Sequence, residues 1–225
     1  VSWSSFDCVC IECGDDFPFM SIKRIVLATG NPHKIAEIDP ILREFGIDAM
    51  PQRRCFRDEA VEDGISFVEN ALIKARFASE KTGLPALADD SGLEVRALDG
   101  RPGVMSARYS ENGQGKPVDD EHNLLKVLDE MQGIPYSRRQ ARYVCAMVFV
   151  RYPDDPTPLI GMGYWNGEIL TEKRTDYGIG YDPIMWFHDH VKAGSEISVE
   201  TKLRLSHRTK ALKAVLAQLD EWSLE

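Results

Sequence analysis

Apolar runs of strand length alternate with capped stretches of helical period from residue 22 almost to the end of this 225-residue chain. A strand that leads repeatedly into a helix constrains the fold to layers of helix on sheet, so the expected class is α/β with a mixed sheet. The first unit sets the pattern. Ile22 to Ala28 reads as a buried strand that breaks at Thr29, Gly30, Asn31 and Pro32. Asn31 suits a helix N-cap and Pro32 the first helical position, with Ile35, Ile38, Ile41, Leu42 and Phe45 at helical spacing before Gly46. Pro40 inside that run is expected to kink or interrupt the helix.

A second helix opens at Ser66, where Glu69 three residues on completes a capping box, and Val68, Ala71, Leu72 and Ala75 form its apolar stripe. It stops at Gly83 and Pro85. Ala86 to Ala88 then reads as a short strand delivering Asp89, Asp90, Ser91 and Gly92 on a turn at its carboxyl end. A third helix starts at Asp119, carries Leu124, Leu125, Leu128 and Met131, and ends by Gly133 and Pro135. Residues 141–151 and 159–169 are β-rich and separated by Pro153, Asp154, Asp155 and Pro156, a pattern for an antiparallel hairpin against which Trp165 packs. A Gly-rich loop at 177–183 precedes another short strand, and Ser206 caps a last helix with Leu212, Val215, Leu216 and Leu219.

Residues 1–20 follow a different pattern. Cys8, Cys10 and Cys13 lie close together there with no sustained period, so the segment is expected to be a non-essential extension ahead of one domain over 21–225. Three thiols without a partner cluster leave a zinc site incomplete. The same twenty residues lack the basic start and apolar middle of a secretion signal, and five cysteines are too few for a disulfide scaffold, so a cytoplasmic protein is expected. The longest apolar run, Val144 to Val150, falls well short of the ~20 residues that span a bilayer, which excludes a membrane partner from the expectations. A net charge of −9 argues against broad binding to nucleic acid, and any anionic ligand needs local lysines or a metal ion.

Four constellations carry chemistry. Thr29, Gly30, Asn31, Pro32, His33 and Lys34 join small residues, a helix start and a mobile charge, which together suit a phosphate; an ordinary capped helix would use the same residues. Asp89, Asp90, Ser91 and Gly92 put adjacent carboxylates together, which calls for a cation or a proton, with Glu59, Glu62 or Asp63 as further ligands; a solvated acidic turn is the alternative. Asn70 and Lys74, four apart on one helix face, suit a phosphate clamp or simply an exposed polar face. Gly178, Ile179, Gly180, Tyr181 and Asp182, with Lys202, His207 and Arg208, offer a Gly-flanked aromatic wall and paired donors for a planar base. His188 and His190 lack a nearby third metal ligand and read as a solvated loop.

Six ordered blocks, VLATGNPHK at 26–34, SFVENALIKA at 66–75, LPALADDSGLEV at 84–95, PGVMSARY at 102–109, GYDPI at 180–184 and SHRTKAL at 206–212, resemble the inosine triphosphate pyrophosphatase family. The resemblance covers nearly all of residues 22–220. It implies two α/β lobes around a long mixed sheet with a nucleotide cleft between them, a homodimer, and hydrolysis of the non-standard purine triphosphates ITP, dITP and XTP to monophosphate and pyrophosphate. It implies Asp90 as catalytic residue and, with Glu62, as ligand of Mg2+, and Ser91 as the next substrate contact. It further implies a phosphate loop at Thr29 to Lys34, phosphate lysines at Lys74 and Lys202, a base-binding stretch from Ile179 through Gly180 and Tyr181 to Asp182, and a 6-oxo reader in His207 and Arg208. Ile179 departs from the Phe common in relatives. A pyrophosphatase for pyrimidine or modified bases and a nucleotide sensor without turnover are the rival readings; intact Asp90 favours an enzyme.

Overall fold

The structure, a computed structural model, describes residues 22–111 and 119–223. The expected extension with Cys8, Cys10 and Cys13 lies outside them. Seven strands form one mixed sheet in the order β2-β1-β3-β4-β5-β6-β7. Strands β1 (Arg24–Leu27), β2 (Asp48–Pro51) and β3 (Ala86–Val95) are parallel to one another. Long antiparallel ladders then join β3 to β4 (Gln140–Val150) and β4 to β5 (Leu159–Ile169), and the short β6 (Met185–Phe187) and β7 (Lys192–Ala193) complete the far edge.

The two-residue alternation of β4 explains the layers. Val144, Ala146, Val148 and Val150 face helix α2 (Phe67–Thr82) through Ala71, Ala75 and Ala78. Cys145, Met147 and Phe149 face the opposite way, onto α1 (Pro32–Glu44) and α5 (His207–Ser223) through Ile38, Leu42, Leu212 and Val215. These two clusters make the first lobe. The second gathers at the far ends of β3 to β5, where Leu93, Tyr143, Trp165 and Phe187 pack with Leu124, Val127 and Met131 around helix α3 (Asp120–Glu130). Trp165 stacks on Phe187 with ring centroids 4.1 Å apart. Helix α4 (Val199–Leu205) links the lobes to α5.

Local chemistry sets the helix ends. Ser66 Oγ accepts from the Glu69 amide, and the Glu69 carboxylate accepts from the Ile65 amide and the Ser66 hydroxyl; each such cap is worth about 1 kcal/mol. Gly83 closes α2 in the left-handed region at φ 68. Asn31 caps α1, Asp119 caps α3, and the Ser206 hydroxyl accepts from the Thr209 amide at the start of α5. Pro40 neither interrupts α1 nor ends it: the helix runs unbroken from Pro32 to Glu44, and Pro40 and Ala36, whose carbonyl loses a partner, are both exposed to water.

Several expected stripes shift slightly. Phe45 is exposed beyond the end of α1, and Leu125 points outward while Asn123, Leu124 and Val127 are buried. The larger correction concerns Asp89 to Gly92, which do not form a turn. They lie in the middle of a ten-residue strand, paired one for one with β4 from Ala86↔Val150 to Val95↔Ala141.

Two glycines set the position of α5. A Cβ on Gly161 would come within 2.2 Å of the Ala211 carbonyl, and one on Gly163 within 1.9 Å of the His207 carbonyl. Helix α5 therefore lies directly on the β5 backbone, and its first residues reach the middle of the sheet.

Candidate functional site

A cleft of about 1020 Å³ runs between the lobes, at the upper end of the usual size for small-molecule sites. One wall starts where β1 ends. Thr29 Oγ1 accepts from the Asn31 amide and Asn31 Oδ1 from the His33 amide, so the chain turns tightly into α1 with Gly30, Pro32 and His33 lining the cleft. Lys34, on the first turn of α1, reaches inward to Asp89 Oδ2 at 2.8 Å.

Strand pleating separates Asp89 from Asp90. Asp89 lies on the α1/α5 face, wholly buried, with Lys34 and the Arg208 Nε, 3.5 Å away, on its Oδ2. Burial opposes its ionisation, but Lys34, Arg208 and Lys74 outweigh burial and hold the carboxyl well below the usual range. Asp90 lies on the α2 face, where Asn70 Nδ2 donates to it at 3.2 Å and Lys74 Nζ stands 3.6 Å away. Burial pushes its pKa up, and Lys74 and Lys34 only partly offset that. Asn70 is buried rather than part of an exposed polar face, and its Oδ1 accepts from the Gly64 amide, so it fixes both Asp90 and the loop before α2.

Glu62, on that loop, meets Lys74 at 2.9 Å. Asp90 and Glu62 thus converge on one ammonium group, and despite burial these carboxylates raise the Lys74 pKa. Two hard carboxylate donors aimed at one cation fit a small divalent ion. Among the described residues no group of three or more His, Cys, Asp and Glu side chains gathers, so the remaining ligands of such an ion would be phosphate oxygens and water.

The other wall belongs to the second lobe. Gly178, Ile179 and Gly180 line the cleft, and the Gly180 amide donates to Asp120 at the start of α3. Tyr181 is buried, and its hydroxyl donates to the Ser106 carbonyl, so Ile179 is the exposed apolar side chain that this loop turns to the cleft. Asp182 accepts from Tyr143 at 2.9 Å and pairs with Lys202, which makes it a brace between β4 and α4. His207 stacks on Tyr143 at 5.0 Å between centroids, and burial, then Arg208, drives its pKa well below the ordinary value. Arg208 is gripped by Glu37 at 2.7 Å and Asp89, with Ser91 Oγ accepting from it at 3.3 Å.

The phosphate-loop residues Thr29 to Lys34, Glu59, Glu62, Lys74, Asp90 to Gly92, Gly178 to Asp182, Lys202, His207 and Arg208 line this one cleft, whereas Asp89 and Asn70 are buried behind its wall and Asp63 does not reach it. His188 does not either; it pairs with Glu168 at 3.0 Å on β5. Sequence reasoning missed Glu37, Arg53, Arg108 and Asp120, which share the cleft. Glu37 had a signal, since it sits one helical turn after His33 on α1.

A family model described as the Ham1 family matches residues 25–218. The chain belongs to the Ham1 family. That membership bears out the resemblance read from the six sequence blocks. Similar chains include the dITP/XTP pyrophosphatase of Vibrio parahaemolyticus, 47% identical over 88% of this chain and 97% of that one. The dITP/XTP pyrophosphatase of Photobacterium profundum is 44% identical over 89% and 100%. Among solved structures, a HAM1 protein from Coxiella burnetii superposes with a TM-score of 0.80 at 42% identity, covering 88% of this chain and 98% of that one. The Ham1 fold accordingly carries the two-lobed α/β sheet described above, and among the described residues no helix is long and apolar enough to cross a membrane.

Proposed function

We propose that this protein hydrolyses the non-standard purine nucleoside triphosphates ITP, dITP and XTP to the monophosphate and pyrophosphate. The observation that carries the reading is the meeting of Asp90, Glu62 and Lys74 beside the Thr29 to Lys34 loop, within a cleft of a Ham1-family chain. The activity that the relatives' name carries, dITP/XTP pyrophosphatase, supports the same substrate class.

Asp90 orients or deprotonates the attacking water, and its buried, raised pKa suits a group that takes a proton. Asp90 and Glu62 would hold Mg2+, which when bound would supply charge compensation for the phosphate chain. Asn70 holds the Asp90 carboxylate in place for that role. The turn from Thr29 through Gly30 and Asn31 into the start of α1 cradles the phosphates, and Lys34, Lys74 and Lys202 hold them, exchanging their carboxylate partners for substrate oxygens. Ser91 contacts the substrate from the same strand. Ile179, Gly180, Tyr181 and Asp182 frame the base, with His207 and Arg208 facing its 6-oxo edge. Neutral His207 serves as donor or acceptor without adding charge.

A homodimer, implied by the family resemblance, completes the reading, with a cytoplasmic location and dispensable residues 1–20 proposed from composition and from the lack of a sustained period in that segment. Turnover of a panel of nucleoside triphosphates with magnesium, resolved for pyrophosphate against phosphate, tests the function. Release of orthophosphate, or no preference for ITP and XTP over ATP, overturns it.

A further inference from the structure

The cations assigned to the substrate, three lysines for the phosphates and Arg208 for the base, are already paired with carboxylates. Lys34 is paired with Asp89, Lys74 with Glu62 and Asp90, Lys202 with Asp182, and Arg208 with Glu37. Four cations thus face five carboxylates, in a chain whose net charge is −9. A polyanion entering such a cleft needs positive charge that is not already taken.

Arg53 supplies it. Strands β1 and β2 run parallel in register up to Leu27↔Pro51, so both deliver their following residues to the same rim of the sheet. Thr29 and Gly30 follow β1, and Gln52 and Arg53 follow β2 in a short 3-10 turn. Ligands of open α/β sheets bind at this carboxyl edge. Arg53 is exposed and lines the cleft, and among the described residues it makes no ion pair.

Its guanidinium lies against Gly30. A Cβ at that position would stand 2.7 Å from Arg53 Nε and 3.0 Å from Nη2. Gly30 is not among the glycines with positive φ, so its backbone conformation alone does not demand glycine. The Arg53 guanidinium packs directly on its backbone.

We propose that Arg53 is a further substrate-binding residue, a guanidinium clamp on the phosphate chain beside the Gly30 backbone. The assignment rests on the triphosphate reading above. Arg53 presents paired N–H donors that match two phosphate oxygens, which a lysine at the same place would not. Because it reaches from the rim and stays exposed, it contributes to binding rather than to the chemical step.

Calorimetric titration of inorganic triphosphate into the full chain, with Arg53→Ala and Arg53→Gln alongside the unaltered protein, tests this without any need for turnover. Both variants are expected to bind about tenfold more weakly, as for one charge-assisted contact at an exposed site, with unchanged thermal unfolding. In steady-state assays with ITP, KM should rise by the same factor while kcat stays within about twofold. Equal affinity for inorganic triphosphate in all three proteins, or a loss confined to kcat, overturns the proposal. Failure of the unaltered protein to turn over ITP would instead count against the pyrophosphatase reading, and the titrations would still decide Arg53.

Discussion

Asp89 and Asp90 are consecutive in sequence, yet their carboxylates stand on opposite faces of β3, the first held by Lys34 and Arg208 and the second by Asn70 and Lys74. Adjacent acids on a turn would repel one another through water; on a strand each acquires its own cations. The pair therefore divides into one wholly buried carboxylate that holds Lys34 and Arg208 and one that lines the cleft.

Asp90→Asn should lower turnover at least ~100-fold, the range for a lost positioned base or metal ligand, while nucleotide affinity largely survives. The side chain keeps its size and its contact with Asn70 can reorganise, so folding should hold. Steady-state turnover close to normal in the purified variant would remove Asp90 from the reaction.

Asp89→Ala should instead act on stability. It leaves Lys34 and Arg208 without their buried counter-charge, which typically costs about 3 to 5 kcal/mol. Urea unfolding should show a lower midpoint than for Asp90→Asn. Equal stability of the two variants would contradict the division of roles.

Arg208→Ala should reduce kcat/KM for ITP much more than for ATP. A guanidinium only donates, so it matches a 6-oxo acceptor and opposes the 6-amino group of adenine; each mismatch costs about 1 to 3 kcal/mol. Arg208 also grips Glu37 and Asp89. Equal losses for both substrates would assign it to those carboxylates alone.

The β4–β5 hairpin gives a pH test remote from the cleft. Asp155 is buried and accepts from the amides of Arg151 and Thr157 and from the Arg151 guanidinium. Burial would raise its pKa, but these donors win and take it from 3.8 to about 2. A depressed folded pKa stabilises the fold above the unfolded value, and that contribution fades as pH falls through the folded one. The stability gap between the unaltered chain and Asp155→Asn, about 2 kcal/mol at neutral pH, should therefore narrow as pH falls below about 4. Urea midpoints at several pH values that keep a constant gap would refute the assignment.

Much of the fold was legible locally because the relevant forces act within a few residues. Asn31 with Pro32, Ser66 with Glu69, Asp119 and Ser206 mark helix starts through hydrogen bonds to amides two or three residues away, and all four mark real ends. The hairpin was legible for the same reason, since β-rich runs flanked a Pro- and Asp-rich turn. Strand β2 was not: its four residues include a single buried side chain, Ala49, and its existence depends on β1 beside it.

The sequence by itself determined which side chains are available: the ordered blocks that mark a Ham1-family chain, the acids at 89 and 90, and the lysines at 34, 74 and 202. Tertiary structure alone decided how they divide. Residues 89 to 92 look like a turn because a strand of Asp, Asp, Ser and Gly has little local preference for extended backbone, and only the ladder to β4, nearly sixty residues away, imposes it. That ladder sends Asp89 and Asp90 to opposite faces, and Gly161 and Gly163 let α5 settle close enough for Arg208 to reach Asp89. The parallel register of β1 and β2 likewise brings Arg53 beside Gly30. Charge pairing across such distances is fixed by strand register and backbone approach, neither of which is encoded by any residue's immediate neighbours.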